Sequence, residues 1–267
     1  MTNEDNERLG EREDTVLSPD KSVIRREDAV LRPSGPWTPS VQALLRYLPE
    51  AGFTALPSVL GTGTDEQGNE TLSYIEGEFI HPGPWSDEAL QAVGGMLRLL
   101  HEAGAAFDPG AKAEWKPWFL RELGGPRYVY SHGDVAPWNT VVREGLSFAL
   151  IDWEFAGPVD PLMELARVCW LFPQLHDDDV AGRVGLPSLD VRARQLRLLV
   201  EAYGASIAER QGLYDRILEV VVRETAEEAI ELQATPDSEG PLWGIAWRAR
   251  AASWILRHRV VLQRALA

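Results

Sequence analysis

The side chains best suited to chemistry gather in residues 128–155, YVYSHGDVAPWNTVVREGLSFALIDWEF. Asp134 follows His132-Gly133, and Asn139 lies five residues beyond it. Two apolar segments, Thr140–Arg143 and Ser147–Ile151, flank a Glu144-Gly145 turn, and Asp152-Trp153-Glu154 closes the second. A hairpin over these segments returns Asp152 to the side of Asn139. Two aspartates and an asparagine converging on one point suit phosphoryl transfer. That reaction needs a carboxylate to orient an attacking hydroxyl and take its proton. It also needs hard oxygen ligands for Mg²⁺ on the nucleotide phosphates. Asp and Asn are also ordinary turn residues that bond their local backbone. The offset of Asn139 and the second aspartate at the end of the next strand are what a simple turn does not require.

The chain that must position these groups has 267 residues, 45% hydrophobic and 25% charged, enough for one large domain or two lobes. Its net charge of −15 makes nucleic acid an improbable partner. An acidic surface favours a cationic ligand and equally serves solubility. No apolar run approaches a membrane span, and the acidic start MTNEDNERLGERED lacks the apolar core of a secretory signal. A single cysteine, Cys169, excludes an internal disulfide. These features predict a cytoplasmic protein.

Residues 1–14 are polar and aperiodic, which predicts a disordered tail. Three short strands follow at Thr15–Leu17, Ser22–Arg25 and Ala29–Arg32. Thr38-Pro39 opens a helix whose apolar face is Val41, Leu44, Leu45 and Leu48, ending at Pro49. Two more strands, Ser58–Gly61 and Thr71–Tyr74, complete the first part. Beyond them the pattern is mainly helical. Ser86 caps a helix to His101, a short helix is expected over Trp115–Leu123, and Asp160-Pro161 starts one over Leu162–Phe172. Three longer helices are expected near Ser188–Arg210, Leu213–Gln233 and Trp243–Leu266. Asp177-Asp178-Asp179 reads as a solvated loop or as a grip for an ammonium group. Trp243, Trp247 and Trp254 read as core, or as an aromatic wall for a substrate.

H-G-D-x-x-x-x-N followed by I-D-W-E resembles the aminoglycoside phosphotransferase family of small-molecule kinases. The resemblance implies an α+β, bilobal, protein-kinase-like fold: a small antiparallel β lobe over residues 15–78 with a hinge, and a larger helical lobe over 79–267. It implies ATP or GTP and Mg²⁺ as cofactors, Asp134 as catalytic base, and Asn139 and Asp152 as Mg²⁺ ligands. Glu154 is a weaker metal-site candidate, and His132 a brace for the loop. The first hairpin would cover the phosphates, with Ser18 and Ser22 as its polar groups, though it lacks the usual glycines. The phosphate-binding cation falls on Arg32 in place of a lysine, with Lys21 as competitor. The first helix offers no glutamate to pair with that cation. Tyr74 to Glu78 would be the hinge, with Tyr74 and Glu76 against the nucleotide base. The implied partner is a small hydroxylated acceptor, cationic if it is aminoglycoside-like, met by a monomer or homodimer. Some relatives of this shape are named as immunity proteins, so self-protection is an implied role. A nucleotide-binding protein without transfer activity is the alternative.

Overall fold

Short strands joined by tight turns open the chain and build one antiparallel sheet. The computed structural model describes residues 14–19, 21–240 and 242–267. Strands β1 (Thr15–Ser18), β2 (Val23–Arg26), β3 (Ala29–Pro33), β4 (Val59–Thr64) and β5 (Asn69–Ser73) form a five-stranded sheet in the order β1-β2-β3-β5-β4. The tail expected over residues 1–14 lies outside the described residues except for Asp14, which pairs with Arg26 at 2.7 Å. Helix α1 (Thr38–Glu50) packs its Val41, Leu44, Leu45 and Leu48 stripe into the core, as the i, i+3, i+4, i+7 spacing requires. It runs one residue past Pro49, which sits in the last turn. Thr38 does not act as its N-cap; its Oγ1 instead accepts from the Gly35 N–H at 2.9 Å.

The remainder is mostly helical. Helix α2 (Asp87–Gly104) starts at Ser86, whose hydroxyl accepts from the Ala89 N–H. Strands β6 (Val129–Ser131) and β9 (Gly157–Val159) pair antiparallel and bracket a second hairpin, β7 (Thr140–Arg143) with β8 (Leu146–Leu150). Helix α3 (Pro161–Leu171) is almost wholly buried and is capped by Asp160, which accepts from the Leu162 and Met163 N–H groups. Helices α4 (Asp178–Arg183), α5 (Leu189–Tyr203), α6 (Ile207–Gln211), α7 (Leu213–Glu231), α8 (Trp243–Arg257) and α9 (Arg259–Leu266) complete the fold. The single helix expected over Ser188–Arg210 is two. Gly204, at φ +78°, ends α5 in a left-handed turn, and a Ser206–Glu209 capping box restarts the chain as α6. The last helix likewise divides at His258. The helix expected over Trp115–Leu123 reduces to one 3₁₀ turn, Phe119–Glu122. Among the described residues no helix is long and apolar enough to cross a membrane.

Two close approaches fix the end of α2, one to helices and one to the strand that leads into residues 132–139. His101, near its end, reaches α3 and α5 through Glu164 (2.6 Å) and the Tyr203 hydroxyl (2.8 Å). Gly104 packs so tightly on β6 that a Cβ would overlap the Tyr130 carbonyl oxygen. Gly104→Ala should therefore destabilise the protein by about 1–3 kcal/mol through overpacking. Urea denaturation checks this; unchanged stability would mean that the helix and strand can part without cost.

Candidate active site

The polar loop after β6 is built from inside the core. Gly133 lies at φ +77°, and a Cβ there would collide with the Phe155 carbonyl oxygen. Only glycine fits, which accounts for the residue that separates this motif from H-R-D. The Gly133 N–H donates to the buried Glu164 carboxylate at 2.6 Å. His132 joins the loop to the end of β8: its Nε2–H donates to the Ile151 carbonyl (2.9 Å), and its Nδ1 accepts the Asp134 N–H (3.1 Å). Burial lowers the imidazole pKa, so the ring is neutral, as this bonding pattern requires. His132 is thus the brace its position implied.

Asp134 is buried, and burial pushes its carboxyl up to about 6 against the opposing pull of Arg167. One oxygen pairs with Arg167 Nη1 at 2.8 Å, and the other accepts from Asn139 Nδ2 at 2.9 Å. The Asn139 amide nitrogen is therefore spent on Asp134, and its oxygen is the group left for a cation. The Asn139 carbonyl accepts the Ile151 N–H at 2.9 Å, which sets Asp152 beside it. Asp152 then takes a left-handed conformation, φ 62° and ψ 62°, that turns the chain out of β8.

Asp152 lies between two cations. Arg32 Nη1 meets one oxygen and Lys21 Nζ the other, each at 2.9 Å. Burial raises the Asp152 pKa, but these two charges outweigh it and hold the carboxyl below its ordinary value. Lys21 also reaches Glu154 at 2.7 Å, and Lys116 holds the other Glu154 oxygen at 2.6 Å. Burial opposes the Lys21 charge, yet Asp152 and Glu154 raise its pKa overall. The chain has three lysines, and two of them serve this cleft. Lys21 and Arg32 were competing candidates for one role; both converge on Asp152.

Comparison with known proteins places this geometry in a family. The chain is 53% identical over 248 residues to a protein of Rhizobium leguminosarum bv. trifolii named trifolitoxin immunity protein, covering 92% of this chain and 95% of that one. The profile of the phosphotransferase enzyme family matches residues 111–194, the span that holds Asp134, Asn139 and Asp152. The chain belongs to the phosphotransferase enzyme family. An amicoumacin kinase solved with AMP-PNP, Ca²⁺ and its antibiotic shares the fold, with a TM-score of 0.63 at 11% identity over 90% of this chain and 89% of that one. A choline/ethanolamine kinase family protein from Mesorhizobium loti gives 0.53 at 20% identity over 91% and 87%. The bilobal kinase-like architecture implied by the motifs is thus the observed one.

In this phosphotransferase-family chain, a cleft of about 400 Å³ between the sheet and β7–β8 is lined by Ser18, Lys21, Arg32, Tyr74, Asn139 and Asp152. Two expected nucleotide contacts fall outside it. Ser22 is exposed at φ 54°, with its N–H spent on the Pro19 carbonyl. The Glu76 carbonyl accepts from Arg143 Nε at 3.2 Å, and its neighbours Ile75 and Gly77 line the cleft instead. The Tyr74 N–H is itself committed to the Asp28 carbonyl at 2.7 Å. The missing acid for the β3 cation comes from a strand. Glu70, directly opposite Arg32 on β5, is buried and meets Arg32 Nε at 2.5 Å, while Gln42 of α1 steadies it at 3.3 Å. Arg167 was also missed in the sequence. Its signal was a second charge, besides Glu164, inside the mostly apolar α3, which is unusual unless the charge is paired. Arg167 bridges Asp134 to Glu224 of α7 (2.7 Å), and Glu224 meets Arg248 of α8 at 3.3 Å.

Asp177, Asp178 and Asp179 are not a free grip for an ammonium group. Asp177 pairs with Arg250 and Arg257, Asp178 accepts from Trp254 Nε1, and Asp179 pairs with Arg183 and Arg250. Arg167→Met should leave the buried Asp134 without its counter-charge and Glu224 with Arg248 alone, and cost about 3–5 kcal/mol in denaturant unfolding. A loss below about 1 kcal/mol would show that Arg167 is not the electrostatic tie between α3, α7 and the loop.

Proposed function

We propose that this protein is a small-molecule O-phosphotransferase that moves a phosphoryl group from ATP or GTP to a hydroxyl, in the service of self-protection. One observation carries the reading. The base and the metal ligands divide between two adjoining cavities. Asn139 and Asp152 line the cleft under the sheet, whereas Asp134 lines a second cavity of about 360 Å³ with Glu154, Arg167, Trp118 and Glu224. Lys21 and Trp138 border both. A phosphate donor on one side and an acceptor on the other is the division that transfer between them requires.

Asn139, through its amide oxygen, and Asp152, through its carboxylate, would hold Mg²⁺. Two hard oxygen ligands suit a cation that takes one or two protein groups and completes its shell with water and phosphate. Among the described residues there is no cluster of three or more Asp, Glu, His or Cys that would form an all-protein cage. When bound, Mg²⁺ supplies neutralisation of the nucleotide phosphates. Arg32, fixed by Glu70, and Lys21, on the hairpin, add positive charge at the same place. Asp134 orients the acceptor hydroxyl and takes its proton as the oxygen attacks the terminal phosphorus. The bond to the bridging oxygen breaks and a nucleoside diphosphate leaves. Arg167 and Asn139 hold the Asp134 carboxylate in place, so positioning and charge dominate.

The acceptor cavity is acidic, which supports a cationic acceptor. Glu224, Glu227, Glu228 and Glu231 share one face of α7 and line it. Glu224 and Glu228 pair with Arg248, while Glu227 and Glu231 have no ion pair among the described residues. The relative named as an immunity protein supports a protective role. The non-catalytic reading draws on a glycine-free hairpin whose Lys21 already occupies Asp152 and Glu154.

Asp134→Ala separates the two. It should lower transfer by about 10²–10⁴-fold while leaving nucleotide affinity nearly unchanged. Cells carrying the variant should lose protection. Wild-type turnover would remove Asp134 as base, and retained protection without turnover would favour the binding protein.

A further inference from the structure

A third cavity, of about 560 Å³, lies across Trp138 from the acceptor site. Its size falls within the range of about 300–1,000 Å³ typical of small-molecule pockets. Its chemistry differs from that of its neighbour. Among the described residues no carboxylate lines it, and the one charged side chain there, Arg183, is paired with Asp179. Trp138, Trp243 and Trp247 supply aromatic surface, with Leu171, Val180 and Val184 between them. Two of these rings are held by neighbours. Trp247 stacks on Trp170 at 5.3 Å and 27°, and Trp138 meets His81 edge-on at 5.4 Å.

One polar group in this wall lacks a partner. His176 is only 8% exposed, and its Nδ1 is buried with no hydrogen bond. The ring contacts Trp247 edge-on at 5.2 Å. Burial, reinforced by Arg192, pushes its pKa down to about 3. The imidazole is therefore neutral and offers a hydrogen bond instead of a charge. Nδ1 is sealed from the cavity, but the ring itself lines it, so a ligand there meets a neutral imidazole.

We infer that this cavity is a specificity pocket for an aromatic group of the acceptor, with His176 as the hydrogen-bond partner of a polar atom on that ring. Trp138 borders both cavities, so one molecule can place its hydroxyl at Asp134 and its ring against Trp243 and Trp247. The acceptor class is then amphipathic: an amine-bearing alcohol with an aromatic end, not a polycation. The inference rests on the proposed acceptor site for its hydroxyl end, but the aromatic pocket is testable without turnover.

The test is calorimetric binding of three matched amino alcohols, alaninol, phenylalaninol and tyrosinol, to the full-length protein. Phenylalaninol should bind about tenfold more tightly than alaninol, as expected for burying one phenyl ring. Tyrosinol should gain about a further threefold to tenfold from a hydrogen bond to His176. Val184→Trp, which fills the cavity from a half-exposed position, should abolish both gains. His176→Phe should abolish only the second. Unchanged melting of both variants shows that they fold. Equal affinity for alaninol and phenylalaninol, no measurable binding of either at millimolar concentration, or a phenyl preference that survives Val184→Trp would overturn the pocket. A tyrosinol gain that survives His176→Phe would overturn the role of His176. None of these outcomes depends on nucleotide or on transfer, so a failure here leaves the phosphotransferase reading standing, and its failure would leave the aromatic preference measurable.

Discussion

Three carboxylates, Asp134, Asp152 and Glu154, stand along two adjoining interlobe cavities, where reduced exposure to water strengthens their mutual repulsion. The structure answers this by giving each its own cation. Arg167 holds Asp134, Arg32 and Lys21 hold Asp152, and Lys21 and Lys116 hold Glu154. Those cations come from widely separated segments: the first hairpin, β3, the segment before the 3₁₀ turn at Phe119, and α3. Charge neutralisation of the cleft is therefore also what ties the sheet to the helical lobe. Under the proposed function, Arg32 and Lys21 would also face the added negative charge of nucleotide phosphates.

A second constraint fixes the loop that carries Asp134. Glu164, buried in α3, receives the Gly133 N–H on one oxygen and His101 on the other, and His132 spans from the Asp134 N–H to Ile151. Satisfied buried networks of this kind hold one geometry, because breaking any member leaves a costly orphan group. Its output is the placement of Asp134 on one side of Trp138 and Asn139 on the other, each facing a different cavity.

Much of this was legible in the chain. The Asp134–Asn139 offset and the strand-terminal Asp152 marked side chains that the fold does bring together, because local spacing and one hairpin set their placement. The helix stripe at Val41–Leu48 followed from periodicity. The losses were of other kinds. Glu70 opposite Arg32 is a matter of the register between β3 and β5, two strands that α1 and β4 separate in sequence. Ser22 and Glu76 were assigned by position within an extended segment, but their backbone groups are taken by Pro19 and Arg143. Asp177–Asp179 read as free charge because their arginine partners lie some seventy residues away on α8. Arg167 and the α7 glutamates carried a signal, a charge in an apolar helix and an i, i+3, i+4, i+7 acidic face. Only the packing of α3 against α7 gives that signal a meaning.

The most direct measurement is calorimetric and thermal titration of the wild-type protein and Asp152→Asn with a non-hydrolysable ATP analogue, with and without Mg²⁺. The account predicts Mg²⁺-dependent binding to the wild type, with stabilisation of about 2.7 kcal/mol at a hundredfold excess over Kd. It also predicts that Asp152→Asn removes the Mg²⁺ dependence. No binding at millimolar nucleotide, or binding to both proteins that ignores Mg²⁺, would contradict it.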